Sequence, residues 1–234
     1  MTTSPLMRND HAARGIVASN LLTLVIAWWQ DWPLALMLWP YWCQSVVIGW
    51  YARKRILALG TFSTEGFRVN GQAVEPTPQT QRSTANFFAV HYGFFHLVYF
   101  IFLLTMSSMS GAPSAAGDGT AVIQPSFERI HAFDVLLILG LAVSFWLSHR
   151  ASHREHVAAD LRRVPNIGSL MFLPYLRVIP MHLTIIFGMT LGDGLGRLLF
   201  GTLKTVADVA MHKIEHRWLQ GAKAGNKPLP NVAE

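Results

Sequence analysis

Long apolar runs alternate with short polar connections along the chain. Apolar residues dominate from Gly15 to Trp29, from Pro33 to Tyr51, and over 85–107, 133–147, 167–191 and 195–217. A helix needs roughly 20 residues to cross a hydrocarbon core about 30 Å thick, and most of these runs approach or exceed that length. The pattern predicts an all-α fold, a polytopic integral membrane helical bundle of about six transmembrane helices. The first run closes on Trp28-Trp29-Gln30-Asp31-Trp32-Pro33. It lacks the small residues of a signal cleavage site, so it reads as a retained span followed by a tight interfacial turn.

The connections carry their own signals. Residues 60–84 read as a loop with a short hairpin over Phe67–Val74, because Asn70-Gly71 favours a tight turn. Ser, Gly and Ala fill 107–124, another loop. The basic stretch from His149 to Arg163 reads as an interfacial helix. Pro174 and Pro180 lie within the fifth run, which membrane helices tolerate. Gly192-Asp193-Gly194 predicts a turn into the sixth run. Residues 1–218 form one transmembrane domain in this reading, and 219–234 a flexible tail.

Composition agrees with this picture. The 234 residues are 51% apolar and only 14% charged, with eight Trp, as expected of a chain built for lipid. Cys43 is the one cysteine, which excludes an intrachain disulfide. The net charge of +6 sits mostly in connections. Arg8 and Arg14 precede the first run, Arg53-Lys54-Arg55 follow the second, Arg150, Arg154, Arg162 and Arg163 follow the fourth, and Lys213 and Arg217 close the sixth. The positive-inside rule then places both termini in the cytoplasm, in a multi-pass protein of a prokaryotic inner membrane. The expected partner is the bilayer, with a lipid or small apolar substrate. A homo-oligomer is compatible with the sequence, and nothing indicates nucleic-acid binding.

Against this apolar background a polar row stands out: Lys204, Asp208, His212 and His216 recur every fourth residue, on one face of a helix. Ionisable groups are costly in hydrocarbon and are usually turned inward, paired and tied to function. At about 1.5 Å per residue, His91 and His212 lie roughly 8 to 10 Å from the cytoplasmic end and Asp208 roughly 14 Å. Two clusters follow: His91 with Asp208 and His212, and, deeper, His96 with His182 and Lys204. Imidazole and carboxylate suit zinc, iron or copper, so these five His and Asp residues are the expected metal ligands. Lys204 is the expected catalytic group, placed to stabilise developing negative charge. The plainer alternative is an i,i+4 ion pair between Lys204 and Asp208. Glu215 and His216 read as a solvated helix end, and His149, His153 and His156 as an interfacial face. Arg177 reads as a structural anchor or an anion contact.

Three segments carry a resemblance: Phe87-Phe88-Ala89-Val90-His91-Tyr92-Gly93-Phe94-Phe95-His96, Pro180-Met181-His182-Leu183-Thr184-Ile185-Ile186-Phe187-Gly188, and the K-x-x-x-D-x-x-x-H segment ending Lys204 to His212. Together they resemble an uncharacterised family of prokaryotic multi-spanning membrane proteins, a domain of unknown function, from the second run onward. The resemblance implies a shared buried polar site in which Gln44 stands where members carry an acidic residue. It implies no established activity. On the residues alone, the expectation is a membrane protein with a buried His/Asp metal site, acting as a metal-dependent enzyme. An ion-coupled transporter, a haem- or quinone-binding redox protein and a membrane assembly partner are the alternatives.

Overall fold

The computed structural model describes residues 17–18, 20–108 and 132–224. The expectations for Arg8 and Arg14, for most of the 107–124 loop and for the tail beyond 224 lie outside the described residues, as do the side chains of Glu215 and His216.

Helices account for almost all of the described chain. They are α1 (Asn20–Trp29), α2 (Leu34–Leu57), α3 (Pro78–Ser108), α4 (Ala132–Asp160), α5 (Ile167–Phe172) and α6 (Tyr175–Ala224). The expected hairpin forms between α2 and α3, pairing β1 (Arg68–Val69) antiparallel with β2 (Gln72–Ala73). Asn70 and Gly71 both adopt positive φ, 51° and 77°, the left-handed pair that a two-residue turn of this hand requires. Three stretches are long and apolar enough to cross a membrane: Pro78–Ser107, Ala132–Asp160 and Ile167–Gly188.

Helical backbone runs unbroken from Tyr175 to Ala224, but α6 is not straight. A straight helix would hold residues 31 positions apart at about 46 Å. The side chains of Arg177 and Asp208 instead lie 3.5 Å apart. The chain therefore folds back on itself around Gly192, where the glycine pattern predicts a turn. The two arms meet through small residues. A Cβ added to Gly196 would lie 3.6 Å from the backbone of Gly188, and either glycine, given a Cβ, would press on Leu34 of α2.

α1 runs antiparallel to the second arm of α6. Leu24 packs over Gly201, Trp28 lies near Gly194, and Asn20 reaches Lys204 and Asp208. Arg197 fixes the turn between α1 and α2. Its guanidinium donates to the carbonyls of Ala27 and Trp32 and to Asp31 Oδ1 at 2.7 Å, while its side chain is almost wholly buried. The Ala27 carbonyl also accepts from the Trp32 N–H at 2.8 Å, so the guanidinium adds a second donor there and ties the Trp32 carbonyl and Asp31 to α6.

α2 is the shared wall: α3, α4, α5 and α6 all pack on it. The core between α2, α3 and α6 is aromatic. Tyr41 meets Phe200 edge-on at 5.2 Å, and Tyr92 stacks on Phe88 at 4.9 Å and meets Tyr175 at 5.4 Å. Gly49 makes room for Tyr92, whose ring a Cβ there would meet at 2.4 Å. The outer faces are also apolar. Phe87, Val90, Phe94, Leu97 and Ile101 form an exposed stripe on α3, with Val90 75% exposed, and α4 exposes Phe133, Leu136, Val143 and Leu147. Apolar residues on both the inward and the outward faces are what a bundle in lipid requires.

At the end opposite the α1–α2 turn, polar contacts join the connections. Asp160, which closes α4, accepts from both Arg55 of α2 and Arg163. Ser63 pairs through its backbone with Pro165 and Ile167, and Asn166 caps α5 by accepting from the Ser169 N–H at 3.0 Å.

Candidate functional site

The polar row of α6 meets other charges inside the bundle. Lys204 Nζ donates to Asp208 Oδ2 at 2.6 Å and to Asn20 Oδ1 at 2.8 Å, and Asn20 Nδ2 donates to the same Asp208 oxygen at 3.1 Å. Arg177, from the first arm, faces Asp208 Oδ1 at 3.5 Å. Two polar atoms here, Arg177 Nε and Asp208 Oδ1, are buried with no hydrogen-bond partner among the described residues. The backbone carbonyl of Arg177 accepts from the Tyr41 hydroxyl at 2.9 Å, which anchors that turn of helix to α2.

Arg177 and Asp208 open onto a cavity of about 620 Å³. Its walls come from α1, α2, α4, α5 and both arms of α6. Its polar lining consists of Asn20, Gln44, Arg55, His149, Ser152, His153, His156, Arg177, Asp208 and His212. Apolar side chains, among them Ile48, Phe145, Leu170, Leu173 and Met211, are interleaved with these, and Phe145 stacks on His149 at 5.3 Å. α4 and α6 each lie along α2 without packing extensively on one another, and the cavity occupies the space between them.

Charge around the cavity is unbalanced. Asp160 is shared by Arg55 and Arg163, and Asp208 by Arg177 and Lys204. In these two clusters each carboxylate is matched by two cations, before any of the neighbouring histidines takes a proton. In a partly desolvated space an excess cation attracts an anionic ligand more strongly than it would in water.

The five expected metal ligands fall in three places. Asp208 and His212 line the cavity. His91 faces away from it: its ring is exposed, stacks on Phe87, and bonds through Nδ1 to the Tyr175 hydroxyl at 2.8 Å. His96 of α3 and His182 of α6 both lie beside Tyr99, and neither lines the cavity. His96 is buried, with Nδ1 against the Tyr92 carbonyl at 2.8 Å and Nε2 against Ser45 Oγ at 2.9 Å, and His182 Nδ1 meets the Tyr99 hydroxyl at 3.0 Å. The His91–Asp208–His212 centre is thus not assembled, and among the described residues no group of three His, Cys, Asp or Glu side chains is arranged to hold a metal ion. The donor chemistry at Asp208 agrees, since one oxygen accepts from Lys204 and the other faces Arg177. A metal cation there would sit beside two fixed positive charges. Lys204, the expected catalytic group, is itself tied to Asn20 and Asp208.

The match to known proteins is at the level of family. Residues 2–225 match a family of unknown function (DUF6498). The chain belongs to that family. No curated protein and no solved structure matches the chain. The family carries no activity to transfer, so function rests on the cavity.

Several lining residues escape a reading of the sequence. Asn20 sits in an unremarkable apolar run, and only its place opposite Asp208 reveals its part. His149, His153 and His156 do show helical spacing, but spacing alone does not say whether that face meets water or a cavity. Arg55 belongs to a basic cluster whose other members, Arg53 and Lys54, point elsewhere: Arg53 bonds Asn86, and Lys54 lies over the Trp50 ring at 5.0 Å.

Proposed function

We propose that this is a multi-pass protein of a prokaryotic inner membrane whose cavity, on the cytoplasmic side, binds an anionic ligand. Six crossings with both ends in the cytoplasm are supported by the antiparallel succession of helices and by the Lys/Arg-rich segments, which alternate with connections nearly free of them. The observation that carries the binding reading is Arg177. It is largely buried, it lines the cavity, and among the described residues the carboxylate beside it, Asp208, is shared with Lys204. A planar guanidinium with donors to spare suits the oxygens of a phosphate or carboxylate. Asp208 and Asn20 hold the surrounding charges in place, and the cavity histidines supply further N–H donors.

Thermal unfolding of the detergent-purified protein, followed by tryptophan fluorescence at constant ionic strength, tests this. Phosphate replacing chloride should raise the midpoint saturably, toward a gain of about 2.7 kcal/mol at a hundred times Kd. Arg177→Met should abolish the rise. A wild-type midpoint that responds to neither phosphate nor sulfate refutes the reading.

A further inference from the structure

We propose that the anion seated in this cavity is the phosphate of a membrane lipid, with its chains leaving toward the bilayer between α4 and α6. This rests on the anion-binding reading above and adds a substrate class to it.

Depth is the first argument. Lys54 lies over exposed Trp50 at 5.0 Å on α2, and Arg150 over exposed Trp146 at 5.9 Å on α4. Tryptophan topped by a cation one turn further along is the pattern of a helix passing through the headgroup layer. On these neighbouring helices the two pairs lie within about one turn of each other in height, since Tyr51 meets His149 and His153. The lining residues of α2 run from Gln44, about 9 Å below Trp50 along the axis, to Arg55 above it. The cavity therefore spans the layer in which lipid phosphates lie, and reaches from there into the hydrocarbon.

Its lining is the second argument. A site for a free inorganic anion has no use for an extensive apolar lining, and here Ile48, Phe145, Leu173 and Met211 line the same cavity as Arg177. A headgroup joined to the start of its acyl chains uses both kinds of lining. The third argument is the open flank. Among the described residues α4 packs on α2 and exposes its remaining faces, so the route between α4 and α6 meets no further described helix on its way to lipid. A ligand that diffuses in the membrane plane can enter there without leaving the bilayer.

The experiment compares lipids and soluble anions on the same delipidated, full-length protein. Native mass spectrometry reads retention of short-chain phosphatidic acid against phosphatidylcholine of equal chain length, and thermal shift reads glycerol phosphate and inorganic phosphate. Phosphatidic acid should be retained at least about ten-fold better than phosphatidylcholine and bind at least about ten-fold tighter than glycerol phosphate. Arg177→Met should lower phosphatidic acid retention by about ten-fold or more, and Arg177→Lys should restore part of it. If glycerol phosphate binds as well as phosphatidic acid, the lipid proposal fails and the anion site stands. If no anion binds in either form, both fail. Equal retention of the two lipids overturns the proposal too, and that wild-type comparison holds even where Arg177→Met does not fold.

Discussion

Replacing Asp208 with Asn changes one charge at nearly constant shape, and the two halves of the account then pull in opposite directions. The carboxylate accepts from Lys204 and Asn20 and faces Arg177, with side-chain exposures of 12% for Asp208, 25% for Lys204 and 17% for Arg177. Removing one partner of a fully buried ion pair costs about 3–5 kcal/mol. Partial exposure of all three groups lowers this to about 2–3 kcal/mol here. Binding should move the other way. An anion on Arg177 would lie about 6 Å from the carboxylate, since an ionic contact of roughly 2.8 Å adds to the 3.5 Å separation. The repulsion between unit charges at that distance is about 0.7 kcal/mol in water-like surroundings and about 2.6 kcal/mol at an effective dielectric of 20. Asp208→Asn should therefore unfold at lower temperature and bind phosphate roughly three- to eighty-fold more tightly. Thermal unfolding with and without phosphate reads both quantities in one titration. A variant as stable as wild type, or one that binds phosphate more weakly, refutes the reasoning; weaker binding would mean that the carboxylate is itself a ligand.

Other substitutions separate the parts of the structure. Lys204→Met should cost only about 1–2 kcal/mol, because Asp208 keeps Arg177 and Asn20, and the Asp208→Asn/Lys204→Met double variant should lose less than the sum of the singles. Gly49→Ala places a methyl 2.4 Å from the buried Tyr92 ring, whose hydroxyl is held to Ser45, so it should lower stability by about 1–3 kcal/mol in the same unfolding assay. A Gly49→Ala midpoint equal to wild type would show that α2 and α3 are farther apart than described. Arg197→Met should cost about 1–3 kcal/mol by leaving the Trp32 carbonyl without its described donor and taking a second donor from the Ala27 carbonyl, whereas Asp31→Asn, on an exposed side chain, should stay within about 0.5 kcal/mol. Equal losses from the two would contradict a turn held by backbone carbonyls.

Much of the architecture is legible in the sequence because each piece has a local cause. Apolar length marks the helices, Asn70-Gly71 dictates its turn, and Gly192-Asp193-Gly194 marks the reversal, although the backbone stays helical through it. The site is harder to read, because height along a helix is a count of residues while the direction of a side chain depends on which neighbours pack. His91 and Asp208 have similar estimated depths. Yet Tyr92 and Phe88 take the inward face of α3, and His91, about 100° around the helix from Tyr92, is turned outward. The histidines of α4 present the converse case. Their spacing fits a solvated interfacial face, and only the position of α6 across from them converts that face into a cavity wall. Asn20 carries no signal at all in an apolar run, since its role exists only through a residue 188 positions away.

The central claim is that an excess of fixed positive charge around Arg177 makes this cavity an anion site. Equilibrium dialysis of radiolabelled orthophosphate against the delipidated protein measures it directly. The account predicts a single saturable site, strengthened in Asp208→Asn and lost in Arg177→Met. Absence of saturable binding to the wild type, or retention of full affinity by folded Arg177→Met, would contradict it.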